Sequence, residues 1–200
     1  PVDLNRNTTK AKRLKPEKAL SVSPSALDGY FLVVSRIVGG KGLQLAVEVA
    51  NKMGFRLKVV GKPAGYATEY QKITKIAKGN VEFLGFVEDS ELVELYSGAR
   101  AFLALAEDED FGITPVEAML AGVPVIAFNG GGYRETVIQG KTGLFFDPAT
   151  AGSLAMAINT FLEMEKKGQW DHDFIRRHAQ KFSKERFKRE IKAFVESKIK

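Results

Sequence analysis

The sequence predicts an α/β domain, a doubly wound parallel sheet of about six strands with helices on both faces. Short apolar runs alternate with segments of helical spacing from Tyr30 to Lys166, as βαβ units require. The runs are almost continuously apolar, as expected of strands covered on both sides. Ser35, Gly61, Gly85, Ala106 and Asn129 close successive runs. They therefore share one edge of the sheet, beyond the C-terminal strand ends, where such folds bind ligands.

Each element follows from its residues. Tyr30–Ser35 (YFLVVS) reads as the first strand. Leu43–Met53 reads as a helix through Leu43, Ala46, Val47 and Ala50. Leu57–Val60 is the second strand, Tyr66–Ala77 a helix, and Val81–Leu84 the third strand. Glu88–Tyr96 is a helix with Leu92, Val93 and Tyr96 inward. Arg100–Ala106 is the fourth strand, Pro115–Ala121 a helix opening at Thr114-Pro115, and Val123–Phe128 the fifth strand. Thr136–Ile138 reads as a helical turn, Leu144–Phe146 as a sixth strand and Ser153–Lys166 as a helix. The domain therefore spans 29–168. A helical tail over 169–200 is expected to pack on it. Ser183 is placed to cap the last helix. Phe187, Ile191, Phe194 and Val195 form an apolar stripe, with packing on a core its expected use ahead of membrane or partner binding. Residues 1–28 are polar and basic, broken by Pro16 and Pro24, and read as a lead-in.

Composition excludes some function classes. At 200 residues and 44% hydrophobic content, the chain can build one substantial core. It has no cysteine, which removes disulfides and thiolate metal sites. The net charge is +6, but residues 1–20 carry +4 and residues 181–200 carry +5, leaving −3 between them. The charge is terminal, and no recognition motif accompanies it, so nucleic acid is not an expected partner. The first twenty residues lack the apolar core of a signal peptide, and a cytoplasmic location is expected. Pro1 is not an initiator residue, so the chain reads as a processed or truncated product.

The chemistry concentrates at residues 106–128, AEDEDFGITPVEAMLAGVPVIAF. An apolar strand ends in acids, and a Phe111-Gly112-Ile113 loop leads into a helix whose first N–H groups form an anion site. Glu109 and Glu117 stand eight positions apart. An acid beside an anion site suits a ligand with both hydroxyls and phosphates, such as a nucleotide-sugar. Arg36 follows the first strand and Lys41 comes five residues later within SRIVGGKG. Two cations at a strand end can clamp a diphosphate.

Other patterns carry less. Asp108 and Asp110 form a D-x-D pair that could hold a divalent ion, yet Arg36, Lys41 and the helix start already offer positive charge. No metal or cofactor is expected. Gln139-Gly140-Lys141-Thr142 lacks the first glycine of a phosphate-binding loop and leads into a strand. His172 and His178 lie in the tail and read as exposed or structural. Gly130–Gly132 either face the ligand or simply turn the chain.

In order, SR-x4-KG, VVG, FLGFV, E-x7-E within DFGITPVEAM, AGVPVIA, GG-x-x-E and TGLFF resemble the C-terminal half of a family 4 retaining glycosyltransferase, most like its mannosyltransferase-type members. That family has the GT-B architecture of two facing Rossmann-like domains. The resemblance covers residues 1–198 and implies that residues 1–28 are interdomain linker and 29–168 bind the donor. It implies catalytic roles for Glu109, Lys41 and Arg36. Arg36 and Lys41 would bind the donor diphosphate, Glu109 would face the sugar and Glu117 the ribose. The backbone of Phe111, Gly112 and Ile113, with Thr114, would meet sugar hydroxyls and phosphate. Gly61, Phe86 and Val87 would surround the base. The donor implied is GDP-mannose; the alternatives are a UDP-sugar donor or a non-catalytic nucleotide-sugar-binding module. The implied partners are an N-terminal GT-B domain and, for the full-length enzyme, a peripheral membrane contact. Without the N-terminal domain the chain is expected to bind donor but not to turn over.

Overall fold

The computed structural model describes residues 29–64 and 68–199. The lead-in assigned to 1–28 lies outside the described residues. Six strands form one parallel sheet: β1 (Tyr30–Val34), β2 (Leu57–Val60), β3 (Val81–Gly85), β4 (Ala99–Ala104), β5 (Val125–Phe128) and β6 (Gly143–Phe146). Their spatial order is β3-β2-β1-β4-β5-β6, all neighbours parallel. The order reverses between β1 and β4, which opens a crevice at their C-terminal ends.

The helices are α1 (Leu43–Met53), α2 (Thr68–Ile76), α3 (Asp89–Ser97), α4 (Ile113–Leu120), α5 (Tyr133–Thr136), α6 (Ala151–Lys166), α7 (His172–Ala179) and α8 (Lys184–Lys198). In α1 the predicted stripe of Leu43, Ala46, Val47 and Ala50 is buried, so periodicity correctly located its core face. One layer comprises α1, α2 and α6; another comprises α3, α4 and α7. Right-handed crossovers put these layers on opposite faces of the sheet. Phe31, Leu32, Leu57, Phe102, Leu103 and Ile126 are fully buried between them. Burying a side chain of this kind contributes about 1.5–3 kcal/mol. Thr150 and Ser153 form a reciprocal cap at the start of α6, and the Ser183 hydroxyl accepts from Arg186 N–H as predicted.

Three local readings change. Helix α4 starts at Ile113, ahead of the predicted Thr114-Pro115. Proline is tolerated anywhere in a first turn, because those N–H groups have no intrahelical partner. The short helical turn is Tyr133–Thr136, and Val137 is already extended, so the turn precedes the expected Thr136–Ile138. The tail also divides. On α7, Ile175 and Ala179 are buried against α4. On α8 no described residue is buried, and Phe187, Ile191, Phe194 and Val195 are 43–59% exposed. The stripe of α8 therefore does not pack on the core among the described residues. An amphipathic pattern states that a face can be covered, not what covers it. No described helix is long and apolar enough to cross a membrane.

Candidate active site

The crevice between β1 and β4 is a cleft of about 240 Å³. It is lined by Ser35, Arg36 and Lys41 from the β1–α1 connection, Leu105, Ala106 and Glu109 from beyond β4, Ile113 and Thr114 from α4, and Tyr133. Five of the predicted site residues thus converge: Arg36, Lys41, Glu109, Ile113 and Thr114. They come from two separate segments, the β1–α1 connection and the stretch from β4 into α4, and the change in strand order is what joins them.

Lys41 donates to Glu109 Oε2 at 2.8 Å, with side chains 25% and 27% exposed. This half-buried pair holds opposite charges at the floor of an open cleft. Arg36 is exposed at its mouth. Gly112 precedes α4 with φ 81°, and no side chain caps the helix. That left-handed φ favours glycine, and a Cβ there would also meet the Tyr133 ring at 2.8 Å. The uncapped N–H groups carry the positive end of the helix dipole. Arg36, Lys41 and this helix start therefore offer three sources of positive potential around one cavity. The single acid, Glu109, can accept hydroxyl groups beside them. Such a cleft can hold an anion and polar hydroxyls side by side.

Tyr133 was not singled out from the sequence. It is 4% exposed, and its ring packs where a Cβ on Gly112 would stand. Burial, then the nearby Glu109 charge, push its ionisation well above the ordinary tyrosine range, against a smaller opposing effect of the Ala106 backbone. The available signal was an aromatic directly after a glycine run at a strand end. Ser35 shows in the sequence only as a strand terminus.

The remaining predicted residues lie outside the cleft lining. Glu117 is 6% exposed within α4 and accepts from the Tyr96 hydroxyl at 3.0 Å. Gly61 lies against the Ser35 carbonyl, and its N–H bonds Gly85 O at 2.7 Å. Phe86 is 62% exposed, with the Lys62 ammonium 4.5 Å from its ring centre. Val87 is buried. These three extend the same edge along β2 and β3. Phe111 turns the other way, its ring 5.8 Å from Phe182.

Asp108 and Asp110 are both exposed. No cluster of three His, Cys, Asp or Glu side chains suited to a metal occurs among the described residues. The two histidines bond backbone carbonyls: His172 Nδ1 lies 2.8 Å from Gly122 O and His178 Nε2 2.8 Å from Thr136 O. Both are far along the tail and tie α7 to its neighbours.

Comparison with known proteins gives this geometry a family. The model for "Glycosyl transferases group 1" matches residues 14–193. An alpha-1,3/1,6-mannosyltransferase of Rhizomucor pusillus is 38% identical over 60% of this chain and 26% of its own length. The human alpha-1,3/1,6-mannosyltransferase is 28% identical over 94% of this chain and 50% of its own length. Among solved structures, Anabaena HepE in complex with UDP and glucose superposes with a TM-score of 0.76 at 25% identity, covering 98% of this chain and 55% of that one. The chain thus spans about half, or less, of the length of these relatives. With its Rossmann-like sheet and its convergent cleft, it belongs to the group 1 glycosyl transferases.

Proposed function

We propose that this chain is the donor-binding half of a retaining glycosyltransferase that moves a sugar, mannose from GDP-mannose, to an acceptor hydroxyl. The Lys41–Glu109 pair beside the start of α4 carries the reading. It sets a cation 2.8 Å from a carboxylate, so a group suited to phosphate and a group suited to sugar hydroxyls stand side by side. The mannosyltransferase relatives support the choice of sugar. A uridine donor is the second reading, supported by the UDP and glucose bound in HepE.

As the bond from sugar to phosphate breaks, negative charge grows on the diphosphate. Arg36, Lys41 and the α4 N-terminus stabilise that charge without reorganising. Glu109 exchanges its bond to Lys41 for the sugar hydroxyls, which orients the ring. Glu117 takes the ribose, and Gly61, Phe86 and Val87 border the base. The acceptor site and the remaining catalytic groups belong to an N-terminal domain. No metal takes part, so EDTA leaves activity intact; an Mg²⁺-reversible loss would instead assign Asp108 and Asp110 to an ion.

Calorimetry of the chain with GDP, UDP and ADP, and with their sugar conjugates, tests the donor. One preferred base is expected. Absence of binding at millimolar concentration for both the chain and the intact protein would overturn the donor site. Preference for UDP would replace GDP-mannose by the second reading.

A further inference from the structure

Glu109 sits on a loop, residues 107–112, with no regular structure of its own. Its neighbours Glu107, Asp108 and Asp110 are exposed and do not anchor it. The anchors come from the glycine run after β5. Gly132 N–H donates to the Glu109 carbonyl at 2.7 Å. A Cβ on Gly131 would overlap that carbonyl oxygen and lie 3.2 Å from the Glu109 amide nitrogen, at a φ of +49°. A Cβ on Gly132 would overlap the Asp110 carbonyl and press on Phe111 Cα. The two backbones therefore touch with no side chain between them, which only glycine permits. Tyr133 completes the contact. Its ring abuts Gly112 where the loop enters α4, and it lines the cleft together with Ala106 and Glu109.

We propose that Gly131, Gly132 and Tyr133 are the positioning residues for Glu109, setting the orientation in which the donor's sugar is held. The inference rests on the donor-site reading given above. It also accounts for the glycine run, whose second and third members serve a backbone contact rather than ligand access. None of the three is a catalytic residue. Gly131 and Gly132 act on the sugar only through Glu109.

The test is a double-mutant cycle in the intact protein. Gly131→Ala should lower turnover by about 10²-fold, the order of loss that a misplacement of about 1 Å produces. In a Glu109→Gln background the same change should cost about threefold or less, because residues acting as one unit are not additive. Affinity for the nucleoside diphosphate without sugar should stay within about threefold, since its cations lie on the β1–α1 side. Gly152→Ala, on α6 with its nearest neighbour 4.0 Å away, should change none of these. Equal losses in both backgrounds, or unchanged turnover in Gly131→Ala, would overturn the proposal. If Gly131→Ala shows no cooperative melt, Tyr133→Leu, which removes the ring against Gly112, carries the same cycle under the same criteria. If Glu109→Gln itself leaves turnover unchanged, the role of Glu109 in the donor site fails first, and this proposal falls with it.

Discussion

Glu109 and Glu117 are eight residues apart and occupy opposite environments. Glu109 lies on an irregular loop, a quarter exposed, paired with Lys41 across an open cleft. Glu117 lies inside α4, 6% exposed, with the Tyr96 hydroxyl from α3 on its carboxylate. The first acid can exchange its partner for a ligand at small cost, because a solvent-accessible pair contributes only about 0–1 kcal/mol. The second is set in the packing, where desolvation makes each hydrogen bond count for more. Glu109 is open to exchange its partner, whereas Glu117 is fixed by packing and would meet a ribose as a preset group.

That contrast can be broken by substitution. The largest effect is expected for Lys41→Ala in the intact protein, with turnover falling by about 10²–10³-fold. The melt of the same variant should move by no more than about 1 kcal/mol. An equal fall in stability would erase the distinction between the two acids. Tyr96→Phe comes next. It removes a hydrogen bond to a buried carboxylate, worth about 1.5–3 kcal/mol, and urea unfolding should report that loss. Glu109→Gln should cost under about 1 kcal/mol in the same assay. If Glu109→Gln proves the more destabilising, the assignment of roles is reversed.

The smallest effect concerns alkaline pH. The folded Tyr133 ionises above the ordinary value of 10.0, so the unfolded chain loses this proton first. The stability tied to Tyr133 is complete below pH about 10 and falls as pH rises beyond it. Absorbance titration should show Tyr133 ionising after an ordinary tyrosine. Glu109→Gln should bring its ionisation down, since the Glu109 charge is one of the two causes that raise it. Tyr30, also raised chiefly by burial, should keep its value in that variant.

Much of the fold was legible because it rests on local rules. Six apolar runs, each closed by a small or polar residue, place the strands to within one or two residues. Spacing alone identified the buried face of α1. Boundaries drifted where local rules are permissive: a first turn accepts proline at Thr114-Pro115, so α4 could begin at Ile113. The cleft was half legible. Arg36, Lys41 and Glu109 carry charge types that announce their chemistry. Tyr133 does not, because its place depends on the glycine run lying against a loop some twenty residues earlier. Nor could periodicity tell α7 from α8, since both are amphipathic and only one finds a surface among the described residues.

The sequence by itself therefore determined the α/β class, the strand edge that holds the polar residues, and the family. These follow from periodicity, composition at strand ends and motif order, all of which are local. Only the tertiary structure decided which residues meet. The reversal of strand order between β1 and β4 brings Lys41 to Glu109, 68 positions away. Helix packing, rather than spacing, buries Glu117 against Tyr96. Such pairings depend on how layers close around a core, and a linear pattern does not encode distances across it.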